Sequence, residues 1–185
     1  MERRKTREPK AARPPPDGVA KALSLLARRQ RTARELEQAL ARARVPAPER
    51  AAAVARMREL GYIDDPATAA ERAKRLIGRG ESPLRVQQRL RSQGVTGQDA
   101  RAAATEAAAG QSPEALARKA LEARLRGRPL KDQKDRERLL RWLVSKGHRH
   151  SAAAQAVKME WDGPDGESDS DASDGSGGSS GVGSA

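Results

Sequence analysis

Asp64 and Asp65 are adjacent carboxylates of a type that could bind a metal ion or perform acid–base chemistry. They follow the run 61–63 and stand directly before Pro66. Asp is a favoured N-cap residue, and Pro is favoured at the first position of a helix. We therefore predict that Asp65 caps a helix opened by Pro66, and that Asp64 adds negative charge at the same helix end. Both residues are interpreted as structural.

His148 and His150 are the two histidines of the chain, and the chain has no cysteine. A zinc site needs three or four ligands from Cys, His and carboxylates, which these two residues cannot complete. No phosphate-binding Gly-rich loop, dinucleotide-binding fingerprint or Ser, His and Asp arrangement is present. We therefore expect no metal, no cofactor and no enzymatic activity.

Arginine is the residue type that points to a function, and that function is binding. A guanidinium group can make bidentate contacts with phosphates and carboxylates alike. Two groups of arginines recur at corresponding places along the chain and form a candidate partner-binding or DNA-binding surface, here called the basic stripe. Its predicted members are Arg28, Arg29, Arg31, Arg34, Arg72, Arg75, Arg79 and Arg85.

Aromatic side chains are too few to provide stacking platforms for bases. Tyr62 is expected in the core, Trp142 on the apolar face of a helix, and Trp161 beyond the folded body. Direct contact with nucleic acid would therefore be made through phosphates and would be sensitive to salt.

The composition and the helix signals predict that these residues lie on helices. The chain is rich in Ala and Leu and has no Phe and one Tyr, which disfavours a β-structure. N-cap residues followed by Pro, and glycines after apolar segments, mark the helix ends. We predict nine helices, at about 18–29, 32–43, 48–60, 66–78, 83–93, 98–109, 113–126, 133–146 and 150–158.

Charge divides the chain into three parts. Residues 1–16 carry a net charge of +4 and residues 159–185 a net charge of −7. Since the whole chain has a net charge of +12, residues 17–158 carry +15. We expect a disordered basic arm over 1–16 and a disordered acidic Gly/Ser-rich tail over 159–185. A body this basic favours a polyanionic partner. No apolar run suits a membrane span or a signal peptide, so we expect a cytoplasmic protein without membrane contact.

An internal repeat organises the body. A shift of 50 residues places Leu26 on Leu76, Thr32 on Ser82, and Leu40 on Leu90, and a shift of about 53 extends the pattern to a third copy that aligns Gly94 with Gly147. The predicted repeats cover about 17–61, 62–110 and 111–158. An all-α, elongated array of tandem three-helix repeats follows from this pattern.

The sequence resembles the RecX regulatory proteins, which modulate the RecA recombinase. The resemblance covers about residues 19–157 and is strongest over 57–95, where the structural motif Gly61-Tyr62-Ile63-Asp64-Asp65 is followed by a helix, a basic Gly-containing turn and a second helix. The chain departs from the family pattern at Thr68 or its neighbour, where Phe is usual before Ala, and at His148, where an aromatic or aliphatic residue commonly follows the glycine of the third repeat.

The resemblance implies a regulator that binds the RecA filament on single-stranded DNA. Such a regulator would modulate, and most simply inhibit, the ATPase, strand exchange and filament growth of RecA in recombination, DNA repair and the SOS response. It would act as a monomer, with possible phosphate contacts to single-stranded DNA. The alternative is an autonomous helix-turn-helix-like DNA-binding protein, since three-helix units with short turns also resemble that class. The 50-residue repeat favours the regulator.

Overall fold

The computed structural model describes residues 17–161, so the predicted basic arm and all but the first three residues of the predicted acidic tail lie outside the described residues. Residues 17–161 form nine helices and no strand. None of these nine is both long and apolar enough to span a bilayer. The helices are α1 (Gly18–Leu26), α2 (Ala33–Arg42), α3 (Ala47–Glu59), α4 (Asp65–Gly78), α5 (Pro83–Ser92), α6 (Gly97–Ala108), α7 (Pro113–Leu125), α8 (Gln133–Ser145) and α9 (His150–Met159).

The helices pack in three consecutive groups of three, α1–α3, α4–α6 and α7–α9, here called repeats 1, 2 and 3. Each repeat has its own apolar core. In the middle helices the buried positions are equivalent, and they are Leu36 and Leu40, Val86 and Leu90, and Leu139 and Leu143. The prediction of an all-α fold of tandem three-helix repeats is confirmed. The predicted repeat limits fall in the connections between α3 and α4 and between α6 and α7.

Side-chain caps start most of the helices, as the sequence indicates. Thr32 and Glu35 form the reciprocal capping box of α2, and Ser82 and Ser112 cap α5 and α7. The expectation for Asp65 is wrong in its detail. Helix α4 begins one residue earlier than predicted, so Asp64 is its N-cap and accepts a hydrogen bond from the Ala67 N–H at 2.8 Å.

Asp65 has a different structural role, because it joins repeats 1 and 2. One carboxylate oxygen accepts a hydrogen bond from the N–H of Ala33 at 2.8 Å, and the other lies 3.3 Å from an Arg58 nitrogen. Ala33 is the first residue of α2, whose N–H has no partner within its own helix. Asp65 therefore completes the capping of α2 from the next repeat.

The remaining residues of the structural motif divide between core and surface. Ile63 is buried in the core of repeat 1, whereas Tyr62 is 58% exposed. The expectation of a core tyrosine is therefore wrong. The turn needs a left-handed residue at Gly61, which has a φ of 73°, and the chain then directs Ile63 rather than Tyr62 toward the core.

The middle helices of successive repeats meet end to end. At the junction of repeats 1 and 2, the Thr32 hydroxyl at the start of α2 donates to the Gln93 carbonyl at the end of α5, at 2.6 Å. At the junction of repeats 2 and 3, the Ser82 N–H at the start of α5 donates to the Lys146 carbonyl at the end of α8, at 3.0 Å. The two junctions use equivalent residues, as the sequence repeat implies.

Glycine permits this close approach. Gly94 and Gly147 follow α5 and α8 in the left-handed conformation, with φ of 91° and 89°. A Cβ atom on Gly147 would lie 2.6 Å from the Ser82 hydroxyl oxygen, and one on Gly94 would overlap the Cβ of Arg34. These positions therefore have two requirements, a positive φ and the absence of a side chain.

We predict that Gly94→Ala lowers the free energy of unfolding by about 2 to 4 kcal/mol, through left-handed strain and overpacking together. Gly61→Ala is the matched control, because Gly61 has a φ of 73° and no atom within 4 Å of a built Cβ. The control should lose only about 1 kcal/mol. Urea unfolding of both variants measures the difference, and equal losses would show that the junction contact is unimportant.

His148 occupies the junction of repeats 2 and 3. It is 6% exposed, and its Nε2 lies 3.0 Å from the carbonyl oxygen of Gly80, to which the neutral Nε2–H tautomer donates. Burial lowers the pKa of His148 below its ordinary value, and the Gly80 carbonyl opposes that effect only in part. The folded state therefore favours the uncharged imidazole.

We predict that stability falls as the pH drops below about 6.5, the ordinary pKa of histidine. In that range the unfolded chain binds a proton at His148 before the folded chain does, so acid favours unfolding. His148→Gln should reduce this dependence between pH 7 and pH 5, as measured by thermal unfolding. His150→Gln changes an exposed histidine and should leave the dependence unaltered, so identical behaviour of the two variants would contradict the assignment.

Candidate partner-binding groove

A groove of about 430 Å³ lies between repeats 1 and 2, and half of its lining residues are arginines. We call it the arginine groove. It is formed by the loop after α1, by α2, by the outer face of α4 and by the end of α5. Its lining residues are Arg29, Gln30, Glu35, Glu71, Arg72, Arg75, Leu76, Arg79, Arg89 and Gln93.

Arg72 forms the floor of this groove and connects the two repeats. Its two terminal nitrogens donate to the two Glu35 carboxylate oxygens at 3.1 and 2.8 Å, in a bidentate pair. The same nitrogens also donate to the side-chain oxygen of Gln93 at 2.7 Å and to the Gln30 carbonyl at 3.2 Å. The Arg72 and Glu35 side chains are only 12% and 17% exposed. The terminal nitrogens of Arg72 are thus engaged by contacts within the protein and are not available to a partner.

Glu35 is held as a carboxylate by these contacts. Burial by itself would raise the pKa of Glu35, but the hydrogen bonds and charge of Arg72, with the Thr32 N–H, outweigh burial and hold the pKa below its ordinary value. The ion pair therefore contributes stability that is complete above the unfolded pKa of about 4.3. That stability is lost as the pH falls through the lower folded pKa.

Three arginines of the groove remain available to a partner. Arg29, Arg75 and Arg79 are exposed, and within residues 17–161 no carboxylate lies within ion-pair distance of any of them. Arg89 is different, since its Nη1 lies 2.9 Å from a carboxylate oxygen of the buried Glu81. Because Arg72 already neutralises Glu35, the groove presents net positive charge.

The other predicted members of the basic stripe lie outside the groove lining. Arg28 is exposed in the loop before α2. Arg31 is half-buried and donates from Nε to the Leu25 carbonyl at 3.3 Å, and burial, followed by the charge of Arg29, lowers the pKa of its guanidinium. Arg34 and Arg85 place their aliphatic stems against the junction glycines. The structure thus brings together four stripe members, Arg29, Arg72, Arg75 and Arg79.

Sequence reasoning missed the carboxylates and amides that arrange the groove. In the sequence, Glu35 has only the spacing of a capping box with Thr32, and nothing singles out Arg89, Glu81 or Gln93. Glu35 and Arg72 are 37 positions apart, so no local spacing pairs them. The one usable signal was the 50-residue shift, which predicts that repeat 1 and repeat 2 stack in register.

The His, Asp and Glu side chains of residues 17–161 form no cluster of three or more that could serve as a metal site. The fold and the groove therefore define a tandem three-helix-repeat protein with a basic inter-repeat surface.

Comparison with known proteins finds similarity to RecX regulatory proteins. Residues 19–57 match the model of the first three-helix domain of RecX. A crystal structure of regulatory protein RecX is 26% identical, with a TM-score of 0.58 over 78% of this chain and 74% of that chain. RecX from Lactobacillus salivarius shares the fold, with 16% identity and a TM-score of 0.55 over 77% of this chain and 93% of that chain. No curated protein matches the chain. The resemblance to RecX regulatory proteins seen in the sequence is confirmed by the match over residues 19–57 and by the shared fold.

The Arg72–Glu35 pair generates a stability prediction. Arg72→Gln leaves Glu35 largely buried without its cation, and we expect a loss of about 2 to 4 kcal/mol in the free energy of unfolding. Arg75→Gln, on the same helix and at the groove surface, should change it by no more than about 0.5 kcal/mol. Chemical denaturation compares the two, and equal stability of both variants would refute the structural role given to Arg72.

Proposed function

We propose that this protein binds the RecA filament on single-stranded DNA and inhibits its ATPase, strand exchange and growth, and that it acts in this way in recombination, DNA repair and the SOS response. Its similarity to RecX regulatory proteins supports this assignment. In this proposal the protein works in the cytoplasm as a monomer without catalytic activity. The filament is its partner, and single-stranded DNA is contacted through phosphates.

The arginine groove is the observation that carries the proposal. Arg29 comes from repeat 1, whereas Arg75 and Arg79 come from repeat 2, so the surface exists only when the two repeats are stacked. The Arg72–Glu35 pair joins the two repeats. Arg29, Arg75 and Arg79, which have no acid within ion-pair distance among residues 17–161, then present donors to an acidic surface. Carboxylates and phosphates both fit such donors.

Autonomous helix-turn-helix DNA binding is less well supported. A recognition helix reads the major groove with polar and basic side chains, and in three-helix variants it is the third helix. The third helix of repeat 1, α3, carries three arginines, but each is engaged within the protein: Arg50 by the Val45 carbonyl, Arg56 by Glu59 and Arg58 by Asp65. The third helices of repeats 2 and 3, α6 and α9, carry one Arg or Lys each, Arg101 and Lys158, and α6 also carries two acids. Helices of this composition are poorly suited to reading bases.

The test is the double variant Arg29→Glu with Arg79→Glu. We expect it to stay folded, since reversal of exposed charges changes stability by about 0.5 kcal/mol or less. We also expect it to lose most of its inhibition of the RecA ATPase on single-stranded DNA, since charge repulsion replaces attraction in the groove. Circular dichroism melting and an ATPase titration measure the two properties.

A matched control reverses two exposed arginines of repeat 2 outside the groove, Arg91→Glu with Arg101→Glu. The control has the same net charge as the groove variant, so any general effect of charge appears in both. Full inhibition by the folded groove variant would overturn the proposal for the groove. Absence of inhibition by the unaltered protein would overturn the proposed function itself.

A further inference from the structure

A second basic surface lies in repeat 3 and shares no residue with the arginine groove. It is a concave region of about 480 Å³ between the end of α7, the following connection and the start of α8. We call it the basic bowl. Its charged lining residues are Arg124, Arg126, Arg128, Lys131, Asp135 and Arg138.

The charges of the basic bowl are strongly unbalanced. Asp135 is the one acid of the lining, and its carboxylate pairs with Arg138 at 2.8 Å. Asp132 lies nearby, but its carboxylate accepts the Asp135 N–H at 2.8 Å as the N-cap of α8. No acid of residues 17–161 lies within ion-pair distance of Arg126, Arg128 or Lys131. All three are exposed.

Contacts within the protein position three of the five bases. The Arg124 guanidinium lies 5.5 Å from the centre of the Trp142 ring, in a cation–π arrangement. Arg138 is held by Asp135, and the Arg128 Nε donates to the Leu125 carbonyl at 3.4 Å. Side chains anchored in this way lose less conformational entropy when they bind a ligand.

The composition of the bowl favours phosphates over a protein surface. Its larger apolar lining residues, Leu125 and Leu139, belong to the core of repeat 3, so little apolar anchor is left for a protein partner, whose binding energy usually depends on one. The arginine groove differs, because amides and carboxylates are interspersed among its bases. The Trp142 ring, which Arg124 joins to the bowl, has the Arg124 guanidinium at 5.5 Å and the Lys146 ammonium at 5.7 Å.

We propose that the basic bowl binds the sugar–phosphate backbone of single-stranded DNA, without base preference, as a site separate from the arginine groove. The choice of single-stranded DNA rests on the proposed function, in which the filament supplies that strand. Arg126, Arg128 and Lys131 contact phosphates directly, and Arg124 and Arg138 form the wall behind them. Repeats 1 and 2 and repeat 3 thereby have different ligands.

The experiment measures binding of a fluorescein-labelled 30-nucleotide oligo(dT) by anisotropy, over a range of NaCl concentrations and without RecA. Arg128→Gln with Lys131→Gln should weaken binding about tenfold at low salt. The slope of log K against log salt should become shallower by about 1.4, since each phosphate contact on a single strand contributes about 0.7. Lys131→Gln alone should show about half of the slope change. Because Lys131 is exposed, this single variant should stay folded and replaces the double variant in the test if the latter fails to fold.

The matched control is Arg91→Gln with Arg101→Gln, which removes the same charge from repeat 2 and should bind oligo(dT) within about twofold of the unaltered protein. An unchanged slope in both bowl variants, or an equal change in the control, would overturn the proposal. Displacement of the protein from oligo(dT) by polyglutamate as effectively as by unlabelled oligo(dT) would also overturn it, in favour of an acidic protein partner. Because RecA is absent, these results are independent of the ATPase test.

Discussion

The end-to-end contact between middle helices is the interaction on which the rest of this structure depends. The negative end of the α5 dipole meets the positive end of α2, and the end of α8 meets the start of α5 in the same way. A hydrogen bond to the final turn carbonyls closes each junction. Since the helix ends leave unsatisfied donors and acceptors, each repeat supplies what its neighbour lacks. The glycines after α5 and α8 make this approach sterically possible.

The register set by these contacts creates the arginine groove. With α5 abutting α2, the Arg72 guanidinium reaches Glu35, and Asp65 reaches the first N–H of α2. Glu35 then has two tasks, because it caps its own helix and neutralises a cation from the next repeat. Of the bases that remain around this pair, Arg89 pairs with Glu81, and the other three, Arg29, Arg75 and Arg79, have no acid within ion-pair distance among residues 17–161. The groove therefore combines a neutral, rigid floor with a positively charged rim.

Local signals in the sequence were sufficient for the helices but not for the contacts between them. Cap residues, glycines and the apolar period placed all nine helices within a few residues, and the repeat indicated how they group. Two successive aspartates could each cap α4, and the pattern alone does not reveal which one does. Tyr62 was misplaced because an aromatic side chain in an apolar turn resembles a core residue. The partners of Arg72 and His148 are distant in sequence, and only the folded chain brings them together.

Because each repeat has a separate core, the contacts within a repeat differ in kind from the contacts between repeats. Each repeat has its own apolar core, whereas polar bonds and one buried imidazole supply much of the contact at the junctions, where Ala120 and Trp142 also lie against Gly80. Small changes of angle between neighbouring repeats therefore expose little apolar surface, whereas opening a repeat exposes a whole core. We therefore expect the angle between neighbouring repeats to change more readily than the packing within a repeat.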